Sequence, residues 1–335
     1  MMRIAGLIPI RLSALHPFNL RRSSVSKLVL CLSLVCALSS ATTAQRRNAP
    51  LRGEGSANRN VRTVTIPVTL RGVAEGAVIE PGDLIVKEDG NPQQILSIRN
   101  TNRSPLSIAV LIQDDLVSSI GNEIEGLKKF IRSLPEGSRV LVGYIGSGSL
   151  RVRQRFTPSA SRAADALRIP LGSSSASPYN PYVQVVEALK LFESQPAGRR
   201  AVLVVTDGLD TSRGIDSASP SQSIDLDRAI TEAQRRGVAI YGFYAPTVGG
   251  GNSLLVNFGQ GSLQRLADET GGEAFFQGTG APVSFDPFLR RLTLALRQQY
   301  ALTYLSTSDK KGFRKIEIRP EISGVEIEYP AGYTR

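Results

Sequence analysis

Two uninterrupted apolar runs in the middle of the chain end in acidic residues. They are Ser107-Ile108-Ala109-Val110-Leu111-Ile112-Gln113-Asp114-Asp115 and Ala201-Val202-Leu203-Val204-Val205-Thr206-Asp207-Gly208. Neither run alternates, so each predicts a strand covered on both faces, as parallel strands beneath helices are. After the first run, Ile120, Ile124, Leu127, Phe130, Ile131 and Leu134 recur at helical spacing. They predict a helix capped by Ser118 or Ser119 and stopped by Pro135-Glu136-Gly137. Residues 139–145 read as a second strand, and residues 150–156, polar at alternate positions, as an edge strand. Further helices are predicted at 161–169, 182–192, 224–236 and 263–270, with Gly237 as a left-handed C-cap and Gly271-Gly272 as a stop. Strands are predicted at 201–205, 238–244 and 273–276. Strand–helix alternation of this kind implies parallel strands joined by right-handed crossovers, hence an α/β, doubly wound sheet.

The flanks follow a different pattern. Residues 61–70 alternate, and residues 83–95 read as strand, tight turn and returning strand, with Asp89-Gly90 supplying the positive φ that a hairpin turn needs. Beyond Gly280 a helix is predicted over 285–297, followed by strands at 300–305, 313–319 and 325–329. Either set of strands alone makes a small, half-covered sheet, so the two sets are expected to pack together. The organisation read from the pattern is an N-terminal β region at 61–104, the α/β domain at 105–281, and a C-terminal helix and strands at 282–335 that join the N-terminal β region.

Composition changes the picture at the N-terminus. A basic, acid-free stretch with Arg21, Arg22 and Lys27 precedes an apolar run at 28–38, and Thr42-Thr43-Ala44 supplies small residues for cleavage before Gln45. Residues 1–44 therefore read as a signal peptide, and the apolar run is too short for an ordinary membrane span. Export to the periplasm or beyond the cell is expected, with no transmembrane span after cleavage. Arg46, Arg47, Arg52, Arg59 and Arg62 crowd the next stretch. Residues 45–60 read as a solvated basic linker, the alternative being adhesion to an anionic envelope polymer or lipid. The leader's five cations, Arg3, Arg11, Arg21, Arg22 and Lys27, take the formal charge from +11 to a modest +6. No basic–aromatic patch points to nucleic acid.

Cys31, Cys36 and His16, the chain's only cysteines and histidine, all fall within the leader. Disulfides, Cys/His zinc sites, thiol nucleophiles and Ser-His-Asp triads are thus excluded from the mature chain by composition. A metal there must be held by oxygen, which selects Mg²⁺, Mn²⁺ or Ca²⁺. The two strand-end acids lie where open α/β sheets collect ligands, at the carboxyl ends of strands near the reversal of strand order.

The order of these elements, ending in Val204-Val205-Thr206-Asp207-Gly208, resembles the von Willebrand factor A fold. The resemblance extends to three longer stretches. They are Asp83-Leu84-Ile85-Val86-Lys87-Glu88-Asp89-Gly90-Asn91-Pro92-Gln93-Gln94-Ile95, Leu263-Gln264-Arg265-Leu266-Ala267-Asp268-Glu269-Thr270-Gly271-Gly272-Glu273-Ala274-Phe275-Phe276 and Arg297-Gln298-Gln299-Tyr300-Ala301-Leu302-Thr303-Tyr304. Together they are similar to the exported VWFA-related proteins of the acidobacterial type, over roughly residues 62–333. The resemblance implies a Rossmann-like sheet with a metal-ion-dependent adhesion site on its upper edge. There an Asp-x-Ser-x-Ser motif, a Thr and a later Asp hold a cation with one position open to a partner's carboxylate. Carried over residue by residue, the metal set is Asp114, Ser118, Asn180 and Asp207. The pattern is degenerate: Leu116 replaces the middle Ser and cannot coordinate, Asn180 stands near the Thr position, and Asp115 offers a carboxylate in place of a lost ligand.

Other motifs carry less. Gly146-Ser147-Gly148-Ser149 follows a strand but lacks the lysine and spacing of a phosphate loop. Asp207, Asp210 and Asp216 are close in sequence, yet without histidine no general base is placed, and Asp210-Thr211-Ser212 reads as a turn cap. Residues 247–253 form a polar glycine loop near the same sheet edge, and Tyr179 and Tyr182 are candidate partner anchors. The expected function is an exported, non-enzymatic binding or adhesion protein. It engages another protein or an envelope component, through an acidic side chain where a cation bridges them. A metal-independent scaffold using the same surface and a carboxylate-metal hydrolase are the alternatives.

Overall fold

The run at 107–113 folds as a strand in which all seven residues are buried, and its side chains divide between two cores by the period of two that strands impose. Ile108, Val110 and Ile112 enter one core; Ala109 and Leu111 enter the other. The computed structural model describes residues 61–74, 76–100, 104–146, 148–172, 180–247 and 252–335. The expected leader and basic linker, Ser147, Tyr179 with the rest of 173–179, and residues 248–251 lie outside them.

The strands are β1 (Arg62–Arg71), β2 (Leu84–Glu88), β3 (Asn91–Arg99), β4 (Ser107–Gln113), β5 (Arg139–Ile145), β6 (Leu150–Thr157), β7 (Arg200–Thr206), β8 (Ala239–Tyr244), β9 (Ala274–Phe275), β10 (Gln299–Ser306), β11 (Phe313–Pro320), β12 (Glu326–Glu328) and β13 (Gly332–Thr334). The helices are α1 (Ile124–Arg132), α2 (Ala160–Asp165), α3 (Pro181–Lys190), α4 (Ile224–Arg236), α5 (Ser253–Thr270) and α6 (Asp286–Arg297).

A six-stranded sheet runs β6-β5-β4-β7-β8-β9. All its pairs are parallel except β5 with the edge strand β6. Counted within this sheet, the order is third-second-first-fourth-fifth-sixth, so strand order reverses between β4 and β7. Helices α1, α2 and α6 cover one face, and α3, α4 and α5 cover the other. The expected doubly wound α/β sheet is present. Its β-rich companion is a seven-stranded antiparallel sheet in the order β12-β1-β10-β3-β2-β11-β13. The N-terminal β1 pairs with the C-terminal β10 along eight residues, from Arg62 opposite Ser306 to Thr69 opposite Gln299.

Three local expectations change. Ser118 and Ser119 begin a short 3₁₀ turn, Ser118–Glu123, and α1 starts later without any side-chain cap. Burying Leu127, Phe130 and Ile131 is worth roughly 1.5–3 kcal/mol each, which outweighs a missing cap worth about 1 kcal/mol. Helix α5 starts ten residues before the predicted 263, capped by Asn252, because Gly259 and Gly261 blur its apolar pattern. Helix α6, grouped by sequence with the C-terminal strands, packs Phe288, Leu289 and Leu292, and the Phe285 that precedes it, into the α/β core.

One buried cation ties the layers together. Arg199, 1% exposed just before β7, donates from Nε to the Gln299 carbonyl (2.8 Å), from Nη1 to the Ser104 carbonyl (3.3 Å) and from Nη2 to the Leu296 carbonyl. Those carbonyls belong to the junction of α6 with β10 and to the segment entering β4. Burial pushes the guanidinium down to about 10, so it stays charged at neutral pH, where the negative end of α6 suits it. Arg199→Ala is expected to strip all three carbonyls of their donor and to lower unfolding free energy by about 2–4 kcal/mol in urea titrations. A loss under about 0.5 kcal/mol would contradict the tying role.

Candidate functional site

The carboxyl ends of β4 and β7 lie side by side at the reversal of strand order, and their last residues build the site. Strand β4 ends at Gln113, Asp114 and Asp115 form the turn that follows, and the side chains of these three residues part company there. Gln113 and Asp115 turn toward β7. Gln113, fully buried, accepts at Oε1 from the Thr206 hydroxyl and from the Asp207 N–H (3.3 Å), and donates from Nε2 to Asp115 Oδ1 (2.8 Å).

Asp114 turns the other way, toward β5 and the segment after α2. Both of its carboxylate oxygens meet the Arg168 guanidinium in a parallel fork, Nη1 to Oδ1 and Nη2 to Oδ2, each at 2.7 Å. The Leu171 N–H adds a third bond to Oδ1 at 3.0 Å. Arg168 is itself held. Its guanidinium lies over the Tyr144 ring, 4.0 Å from the centroid, Nη1 also donates to the Ile169 carbonyl, and the Tyr144 hydroxyl bonds the Arg168 backbone at both N–H and carbonyl. Burial alone would raise the Asp114 carboxyl, but the Arg168 fork and the Leu171 N–H outweigh it and hold the group below the usual range.

Asp207 has a different environment. It is 6% exposed and bonded by the Leu209 N–H at 3.1 Å. Burial, aided by the Asp115 charge, pushes it up to about 7. Asp115 is raised as well, by burial first and then by the Asp114 charge. The loop carrying Asp207 is fixed by a close approach of α5: a Cβ on Gly259 would stand 2.0 Å from the Asp207 carbonyl oxygen, and Gly208 adopts φ +70° against the Gly259 carbonyl. Bridging of Leu116 to Thr247, and the Val117 N–H to the Pro246 carbonyl (3.1 Å), tie the turn after β4 to the turn after β8.

The residues assigned to a cation shell therefore have separate partners. Asp114 is engaged by Arg168. Ser118 is exposed at the start of the 3₁₀ turn. Asn180 caps α3, its Oδ1 accepting from the Tyr182 and Val183 N–H groups while its Nδ2 donates to Asp225 (2.7 Å) and Ser212 (3.3 Å). Asp207 faces Asp115 instead of Asp114. Leu116 is buried in the core beneath α1. Among the described residues no group of three or more His, Cys, Asp or Glu side chains converges as a metal shell, and this set does not fit an octahedral Mg²⁺. Asp210 accepts from Ser212 and Ser223, as a turn cap does. Tyr182 is buried, donating to the Gly208 carbonyl, and so serves packing. Sequence reasoning missed Gln113, although a polar residue closing an apolar strand is a signal that could have found it. It missed Arg168 too, which lies 54 residues from its carboxylate and carries no local signal.

No family model matches the chain, and no curated protein matches it. Several solved structures do. The conserved hypothetical protein BatB from Bacteroides thetaiotaomicron is 14% identical, covering 57% of this chain and 97% of that one with a TM-score of 0.41. An aerotolerance-related membrane protein from Bacteroides fragilis NCTC 9343 is 12% identical, covering 58% and 99%, with a TM-score of 0.40. The SpRpn10 VWA domain is 12% identical, covering 58% and 93%, with a TM-score of 0.35. The fold described above stands on its own strand order and register.

The raised Asp207 carboxyl has a consequence for pH. Between its unfolded value near 3.8 and about 7, the folded chain holds a proton that the unfolded chain has released. Its stabilisation is complete below the lower value and is lost as pH rises through the upper one, with a slope of at most about 1.4 kcal/mol per pH unit. Asp115 acts in the same direction, whereas Asp114 acts oppositely and only at lower pH. Melting temperatures from pH 5 to pH 8 are expected to fall in the wild type and to flatten in Asp207→Asn. Identical slopes for the two proteins would contradict this environment for Asp207.

Proposed function

We propose that the chain is an exported, non-enzymatic protein-binding module of the von Willebrand A type that engages its partner without a divalent cation. One observation carries this reading: the Asp114 carboxylate already has a cation, the Arg168 guanidinium, on both oxygens. A fork of two charge-assisted bonds, stacked on an aromatic ring and closed by a backbone N–H, satisfies the strand-end charge that a metal would otherwise neutralise. Catalysis has little support in the same geometry. The described residues include no histidine or cysteine, Asp114 is engaged by an arginine, and Asp210 is engaged in a turn. What the edge offers is a surface: the exposed Ser118 and Ser119, the half-buried Thr247 that bridges to Leu116, and the half-buried Asn180 that caps α3.

Calorimetric titration of the protein with Mg²⁺, Mn²⁺ and Ca²⁺ is expected to give no binding heat, and EDTA to leave the melting temperature unchanged. Partner capture from an envelope extract is expected to survive EDTA and to be lost on Ser118→Arg, an exposed position on the same edge. Saturable metal heat that disappears in Asp207→Ala would overturn the cation-free reading and assign the cation to Asp115 and Asp207.

A further inference from the structure

A groove with a volume of about 630 Å³ runs between α1 and α6 and is open to solvent. Phe130 and Leu289, both mostly buried, form its floor, and Leu294, 55% exposed, stands beside them. Lys129 and Arg290, both exposed, lie on its rim. The groove lies on the helical face formed by α1 and α6, and nothing in the roles of the strand-end acids requires it.

Gly126 is the informative residue. It sits in the first turn of α1 and lines the groove. A Cβ added there would stand 3.5 Å from Leu289 Cδ1 and 3.7 Å from Asp286 Oδ1, which is ordinary contact. Packing between α1 and α6 therefore has room for alanine. Glycine is the less favourable choice in a helix, and what it provides here is depth in the groove.

We propose that this groove is a docking site for an amphipathic, acidic helix of a partner protein. Two packed helices with an apolar floor between them present ridges that a third helix can straddle, with side chains at i, i+3/i+4 and i+7 entering the groove. Charge selects the acidic version. Lys129 and Arg290 flank the apolar floor, whereas Asp286, beside Gly126, is the acid among the lining residues. The chain's own segment 45–60, rich in arginine, has the same sign as that rim and is the wrong occupant.

The test uses a fluorescent synthetic peptide with leucines at helical i, i+3, i+7 spacing and glutamates between them. Its controls are a scrambled peptide of the same composition and a version with lysine in place of glutamate. Anisotropy titration of the full protein is expected to show saturable binding of the patterned acidic peptide, at least tenfold tighter than either control. The double variant Lys129→Glu/Arg290→Glu is expected to lose that preference at least tenfold. Gly126→Ala is expected to weaken binding severalfold while its melting temperature holds or rises, which separates groove filling from misfolding. Equal binding of scrambled and patterned peptides, no binding at all, or unchanged affinity in Gly126→Ala would overturn the proposal. So would binding of phosphatidylglycerol vesicles in place of the peptide, which would assign the face to a lipid surface. Each outcome is read without reference to metal or to Ser118, so failure here leaves the reading of the strand-end surface standing.

Discussion

The bidentate pair between Asp114 and Arg168 organises the upper edge of the α/β sheet. A doubly wound sheet brings the carboxyl ends of β4 and β7 together, and this chain places three carboxylates there, on Asp114, Asp115 and Asp207. Water solvates little of that charge, since all three residues are buried, so the protein must neutralise it internally. It does so in three ways. Arg168 neutralises Asp114, burial raises the Asp115 carboxyl while the Gln113 amide donates to it, and burial shifts Asp207 toward its protonated form near neutral pH. None of the three requires a cation from solution.

The same pair shapes the backbone around it. Leu171 donates its N–H to the Asp114 side chain and Gly172 donates to the Asp114 carbonyl (3.0 Å), so the chain leaving α2 is drawn back to the end of β4. Tyr144 on β5 holds Arg168 from beneath and at both backbone groups. On the other side of β4, the close approach of Gly259 to Asp207 and the bridge from Leu116 to Thr247 set the remaining loops. The described part of this edge is thus held by buried polar contacts and by the close approach of two glycines. The attachment of the β-rich sheet depends on similar chemistry, with the Arg199 guanidinium gathering carbonyls at the junction of α6 with β10.

Much of the fold was readable from periodicity. The unbroken runs of β4 and β7 named the central parallel strands, Gly237 ended α4 in a left-handed conformation (φ +60°), and Asp89-Gly90 made the hairpin turn with both residues at positive φ. The pairing of β1 with β10 followed from two half-covered strand sets needing each other. What local pattern hides is direction and distance. Asp114 and Asp115 are neighbours of the same type in sequence, and only the turn after β4 decides which of them acts on Asp207. Arg168 follows a short alanine-rich helix like any surface cation, and its role appears only when β4 and the end of α2 meet in space. Asn180 illustrates a third limit, since a side chain at a ligand-like position is also a good helix cap, and α3 uses it so.

A double-mutant cycle in denaturant unfolding, comparing wild type with Asp114→Asn, Arg168→Met and the double variant, tests the central claim most directly. A coupling free energy of about 1–2 kcal/mol is expected for a forked, ring-stacked pair at this depth. A coupling within about 0.3 kcal/mol of zero would mean that Arg168 does not neutralise Asp114, and would reopen the strand end to a cation.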